Sequence, residues 1–126
     1  LKGLTFRDKD YKFLIDIKNV LHIAPYKEIK GELDDFKVVN FGSLFFDEET
    51  EKGDIIFIEH EQNIVALQVE KVESIENADK IIPFEKELFM VKPILGAVKS
   101  ENNETCYLID VEKIIGVDHE QQNITD

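Results

Sequence analysis

Phe13-Leu14-Ile15-Asp16-Ile17-Lys18-Asn19-Val20-Leu21-His22-Ile23 and Val65-Ala66-Leu67-Gln68-Val69-Glu70-Lys71-Val72-Glu73-Ser74-Ile75 carry one hydrophobic pattern. In each stretch apolar residues alternate first (Phe13, Ile15, Ile17; Val65, Leu67, Val69) and then recur three apart (Val20, Ile23; Val72, Ile75). Alternation marks a strand with one buried face. The change to threes fits a strand that bends or ends in a turn while its next apolar residues aim at the same core. The match predicts a duplicated unit, with approximate halves 4–50 and 53–116. Further along, Val38-Val39-Asn40-Phe41-Gly42 is echoed by Pro93-Ile94-Leu95-Gly96-Ala97, and Leu44-Phe45-Phe46-Asp47-Glu48 by Leu108-Ile109-Asp110-Val111-Glu112. Single cores favour roughly 100 to 150 residues, so the two units are expected to pack as one domain over 1–116.

Composition supports an all-β, or at least β-rich, fold. Isoleucine, valine, phenylalanine and tyrosine make up 38 of 126 residues and alanine only four, which favours pleated, half-buried strands over long helices. The expected strands are Leu4 to Arg7, Tyr11 to Ile17, Phe36 to Phe41, Ser43 to Phe46, Asp54 to His60, Ile64 to Val69, Ile94 to Lys99 and Thr105 to Ile109. The segments after Ile17 and Val69 suit a helical turn as well as a bulged strand. One short C-terminal helix is expected where Asp110 can cap the first turn, Val111 to Ile115 follow, and Gly116 ends it. Residues 117–126 lack apolar periodicity and read as a flexible tail. Asp47 to Asp54 reads as a charged loop between halves and Ser100 to Glu104 as a polar hairpin connection.

A net charge of −12 disfavours nucleic acid, whose recognition rests on lysine and arginine displacing counterions. No apolar run is long enough to span a bilayer, and no cleavable signal pattern opens the chain. One cysteine, Cys106, cannot form an internal disulfide, which points to a cytoplasmic protein. The Asn103-Glu104-Thr105 and Asn123-Ile124-Thr125 triplets match the glycosylation pattern but carry no weight without a secretion signal.

Catalytic and metal motifs are hard to find. His22, His60 and His119 stand far apart and share no metal-ligand spacing. The acidic loop lacks the alternating oxygen ligands and central glycine of a calcium loop. Ser43 follows Gly42 but no glycine stands two residues on, so there is no nucleophile elbow. A hydrolase would require folding to bring His60 or His22 to Cys106, Ser43 or a carboxylate. Neither an enzyme nor a metal or other cofactor is therefore expected.

Leu4-Thr5-Phe6-Arg7 through Tyr11, followed by Ile17-Lys18-Asn19-Val20-Leu21-His22-Ile23, resembles the opening of CheW-like chemotaxis coupling domains. Ala66-Leu67-Gln68-Val69-Glu70-Lys71-Val72 looks like that family's Gly-Leu-x-Val-Asp-x-Val signature. Ile82-Pro83-Phe84, Ile94-Leu95-Gly96 and Leu108-Ile109-Asp110-Val111-Glu112-Lys113-Ile114-Ile115 follow in family order. The resemblance spans roughly Leu4 to Gly116. It implies two small SH3-like β-barrel subdomains packed together. It also implies a non-catalytic adaptor that links a chemoreceptor's cytoplasmic tip to the regulatory domain of a CheA-type histidine kinase. The chain departs from the family's Gly-Val-x-Asn-x-Arg-Gly segment: Lys37-Val38-Val39-Asn40-Phe41-Gly42 has no arginine, and Lys37 lacks a guanidinium's planar fork. If docking is retained, the resemblance puts Val20, Val39, Asn40 and Gly42 around a groove, with an exposed edge near Glu70 and Lys71. Val20, Val39, Val69, Val72, Ile94 and Leu108 are also read as core. The alternatives are a divergent CheW-like module with another partner, or a small-molecule-binding β-barrel.

Overall fold

A computed structural model describes residues 1–79, 81–83 and 92–116. The expected tail, with His119, and Phe84 of the Ile82-Pro83-Phe84 motif lie outside the described residues. In chain order the strands are β1 (Lys2–Asp8), β2 (Tyr11–Asp16), β3 (Val20–Pro25), β4 (Lys37–Asn40), β5 (Asp54–His60), β6 (Asn63–Val69), β7 (Lys71–Asn77), β8 (Ile82–Pro83), β9 (Ile94–Lys99) and β10 (Thr105–Ile109). Between β3 and β4 run a turn of helix, α1 (Tyr26–Ile29), and a 3-10 segment (Lys30–Asp35). Helix α2 (Phe41–Phe46) follows β4, and a second helix covers 111–116. The strands form two mixed sheets, ordered β7-β1-β2-β10-β9-β8 and β3-β5-β6-β4.

Both ambiguous segments are strands, β3 and β7. They are entered by different corners: a 3-10 turn at Ile17–Asn19, capped by the Asp16 carboxylate, and the single residue Glu70. Each half changes sheet at its corner. Hairpin β1–β2 lies in the first sheet and its continuation β3 in the second, whereas hairpin β5–β6 lies in the second and its continuation β7 in the first. Strand exchange therefore runs both ways. β7 flanks β1 as β3 flanks β5, antiparallel, and β10 flanks β2 as β4 flanks β6, parallel.

The correspondence reaches single residues. Leu4 faces Ile75 as Ile56 faces Ile23, Thr5 faces Ser74 as Phe57 faces His22, and Phe6 faces Val72 as Ile58 faces Val20. Both ladders slip at the same place, leaving Glu73 and Leu21 as the extra residue of a bulge. Both hairpins turn on two left-handed residues, Lys9 and Asp10 (φ 51° and 69°) and Glu61 and Gln62 (φ 50° and 70°). That is the two-residue turn whose twist suits antiparallel strands.

Two expectations need correction. Among the described residues the ladders draw two open mixed sheets, not two closed barrels, because each half supplies a hairpin to one sheet and flanking strands to the other and so cannot close on itself. Ser43 to Phe46 is helix α2, not strand. The Asn40 side chain accepts from Ser43 N–H at 3.1 Å, and left-handed Asp47 (φ 58°) ends the helix. The internal match also shifts. Val38 and Leu108 face Ala66 and Leu14, so Val38-Val39-Asn40 corresponds to Leu108-Ile109-Asp110, and Asp110 caps its helix through Lys113 N–H as Asn40 does through Ser43.

The principal core lies between the sheets and draws on both halves: Leu4, Phe6, Phe13 and Ile15 from the first sheet, and Ile56, Ile58, Val65, Leu67 and Val69 from the second. Phe41 stands on edge against Phe13 and Phe6, at 4.7 and 5.0 Å between ring centroids, and stacks on Phe45 at 5.2 Å. Such aromatic pairs add roughly 0.5 to 1.5 kcal/mol each beyond burial. Smaller clusters sit on the outer faces: Leu14, Ala78, Val98, Cys106 and Leu108 on the first sheet, and Leu33, Ile55, Phe57 and Ala66 on the second.

Candidate functional site

The expected contact residues do not share one surface. Val39 is buried and Val20 packs half-buried against the main core. Gly42 is buried at the start of α2, where an added Cβ would run into the Glu48 carbonyl oxygen and Thr50 Oγ1. The side chain of Asn40 is committed to the loop that follows α2. Its Oδ1 accepts from Thr50 N–H at 2.9 Å as well as from Ser43, and its Nδ2 donates to the Thr50 carbonyl at 2.8 Å. Glu70 and Lys71 are exposed at the junction of β6 and β7.

A buried relay ties that junction to Asn40. Thr50 Oγ1 donates to Asp8 Oδ2 at 2.8 Å, and Glu70 N–H donates to the same oxygen at 3.1 Å. Asp8 is fully buried; its Oδ1 accepts no hydrogen bond and stands 3.7 Å from Lys9 Nζ. Hairpin β1–β2, the inter-half loop and the β6–β7 corner therefore meet on one carboxylate.

The structure does gather a different set, on the outer face of the second sheet. Leu21 projects from the bulge in β3 at 51% exposure, beside His22. Phe57 lies next to them on β5, Ile64 on β6, and Phe36 at the entry to β4. The Phe57 ring meets Phe36 on edge at 4.8 Å and the His22 imidazole at 6.1 Å. These residues, with Ile29 and Glu32 of the segment between β3 and β4, line a groove of about 350 Å³. Phe36 and Ile64 also line a second cleft of about 630 Å³, which continues past Lys37 and His60 to Glu112 and Ile115. Leu33, with Tyr26 and Ile29, packs against Ile55, Phe57 and Ala66 on this face, while Leu21, Phe36, Val38 and Ile64 stay exposed.

The sequence held a signal for these residues. Phe57 and Ile64 are apolar but out of phase with the inward series Ile56, Ile58 and Val65, Leu67, Val69. Both faces of the hairpin are therefore apolar, which a one-sided sheet does not need.

The equivalent face of the first sheet is chemically opposite. Thr5 occupies the position of Phe57, Lys12 that of Ile64, Glu73 that of Leu21, and Glu76 that of Ala24. Lys12 is 4% exposed, and its Nζ lies 2.9 Å from Glu76 Oε2 and 3.8 Å from Glu104. Glu76 also accepts from Thr5 Oγ1, Ser74 Oγ and Glu101 N–H. Burial pushes the Glu76 carboxyl up, but the hydrogen bonds from Lys12, Ser74 and the Glu101 backbone outweigh it and hold the group at about 2. Arg7 bridges Glu73 at 3.0 Å and Glu104 at 2.7 Å. Its hydrogen bond holds Glu104 below the usual carboxylate range.

The groups considered for nucleophilic chemistry are dispersed. Cys106 is buried in the outer cluster of the first sheet, and burial raises its thiol. His22 lies on the outer face of the second sheet, and His60 sits at the end of β5, 3.8 Å from Glu61. Ser43 lies in the first turn of α2, its N–H bonded to the Asn40 side chain. Among the described residues no group of three or more His, Cys, Asp or Glu side chains is arranged to hold a metal ion, and no helix is long and apolar enough to cross a membrane. No protein-family model matches the chain, and no curated protein matches its sequence.

Proposed function

We propose that this protein is a non-catalytic adaptor of the CheW-like kind, coupling a chemoreceptor tip to the regulatory domain of a CheA-type histidine kinase, with the outer face of the second sheet as a docking surface. The observation that carries this reading is the contrast between equivalent positions. The shared backbone accepts a satisfied polar face on one sheet, so the fold does not require Leu21, Phe36, Phe57 and Ile64 to form an apolar strip on the other. An exposed apolar groove with a polar rim, here Glu32 and His22, is what a docking site for an amphipathic helix or a second β-domain offers. The ordered motifs from Leu4 to Ile115 supply the choice of partner. Regulation of a kinase by such a module rests on differential contacts with its two states, not on chemistry within this chain.

The test is a calorimetric titration against the kinase regulatory domain, with Leu21→Glu and Ile64→Glu as variants. Both residues are partly exposed, so the variants are expected to fold. Saturable binding that either variant weakens by on the order of tenfold or more supports the reading. Absence of binding by the folded, unaltered chain removes the kinase as partner.

A further inference from the structure

We infer that this chain can exchange halves with a second copy of itself, forming a dimer in which residues 1–50 of one copy pack with residues 54–116 of the other. The inference rests on topology and is independent of the docking reading. Among the described residues four ladders join the halves: β1 with β7, β2 with β10, β3 with β5, and β4 with β6. Within the first half the only ladder is the β1–β2 hairpin, and the principal core mixes side chains from both halves. The surface each half needs is thus the other half, whichever molecule supplies it.

One covalent connection, residues 47–53, decides whether that partner is the same chain. Its first part belongs to the first half: Glu48 N–H donates to the Gly42 carbonyl, and Thr50 is held by Asn40 and Asp8. The reversal falls at Lys52 and Gly53, both left-handed (φ 54° and 71°). It is held by Gln68 Nε2 on the Lys52 carbonyl at 2.8 Å and by Tyr26 N–H on the Gly53 carbonyl at 3.0 Å. Lysine rarely adopts that conformation, and extending the segment releases it. A short connection keeps the halves at an effective concentration on the order of millimolar, so the single chain dominates in dilute solution and exchange emerges as the chain concentration during folding approaches that value.

The end of the β1–β7 ladder supplies the test. Leu1 and Ala78 exchange both backbone hydrogen bonds, which makes neighbouring Lys2 and Asn77 a non-hydrogen-bonded pair, the closer kind of antiparallel pair. Both residues are exposed, and the spacing of such a pair suits a disulfide. Lys2→Cys and Asn77→Cys variants of the chain are unfolded together, refolded at about 1 mM, and then oxidised. The expected product is a covalent dimer whose mapped disulfide joins the two introduced thiols, absent when the chains are refolded separately and mixed afterwards. If only single chains result while a Lys2→Cys/Asn77→Cys double variant closes within one molecule, the inference is overturned. Light scattering of the unaltered chain refolded at the same concentration is an independent reading, and a mass of one chain at every concentration also overturns it.

Discussion

The outer faces of the two sheets are built on one backbone plan and finished in opposite ways. Thr5, Lys12, Glu73 and Glu76 stand on the first sheet where Phe57, Ile64, Leu21 and Ala24 stand on the second, at the same ladder positions and around the same bulge. On the first sheet the polar groups satisfy one another: Glu76 collects four donors, and Arg7 clamps two carboxylates. On the second, Leu21 and Ile64 meet solvent, while Phe57 and Ala24 are buried. Backbone geometry is common to both, so the difference lies in the side chains alone.

The comparison breaks hardest at Glu76. Replacing it with alanine strips buried Lys12 of its nearest counter-charge and is expected to cost about 3 to 5 kcal/mol in urea unfolding. Grafting the second sheet's residues instead, as Lys12→Ile with Glu76→Ala, removes both charges together and should recover most of that loss. Failure to recover would show that the polar face does more than balance itself.

Acid tests the same group. Because the carboxyl of Glu76 sits at about 2 in the fold against an ordinary value near 4.5, the folded state binds its proton more weakly than the unfolded chain. Its contribution is therefore full above pH 4.5 and lost as pH falls towards 2, amounting to about 3 kcal/mol. Unfolding free energies measured from pH 6 down to pH 2 should lose this component in Glu76→Gln.

A smaller effect separates the two helix caps. Asn40→Ala removes a cap and both bonds to the Thr50 backbone and should cost about 2 kcal/mol or more, whereas Asp110→Ala removes the cap at Lys113 and should cost about 1 kcal/mol. Chemical denaturation of the two variants side by side would show the asymmetry, and equal costs would mean that the Thr50 bonds contribute little. The smallest expected change in stability is at the apolar strip. Leu21→Glu should stay within about 0.5 kcal/mol of the parent in chemical denaturation.

Local periodicity carried much of this architecture. Asp54–His60, Ile94–Lys99 and Thr105–Ile109 are strands with the expected bounds, because alternation and turn residues are written into the strand itself. Helix α2 was also legible, in Phe41, Leu44 and Phe45 at helical spacing behind Asn40. The strand reading gave weight to β-propensity where spacing and the cap prevail. Exchange between the halves was not legible, since a hydrophobic pattern states which face of a strand is buried but not which strand lies beside it. The expected contact residues are placed by constraints that a hydrophobic pattern does not state: Val39 and Gly42 are buried, and the half-buried Asn40 is held to the Thr50 backbone.

Glu70 alone separates β6 from β7, and its N–H is fixed to Asp8 at the end of β1. A strand that leaves one sheet and enters the other in the space of one residue offers no slack. Neither sheet can slide or tilt against the other without breaking that bond or turning that one backbone. Movement of one sheet against the other is thus coupled to the β6–β7 corner and to the Asp8–Glu70 hydrogen bond.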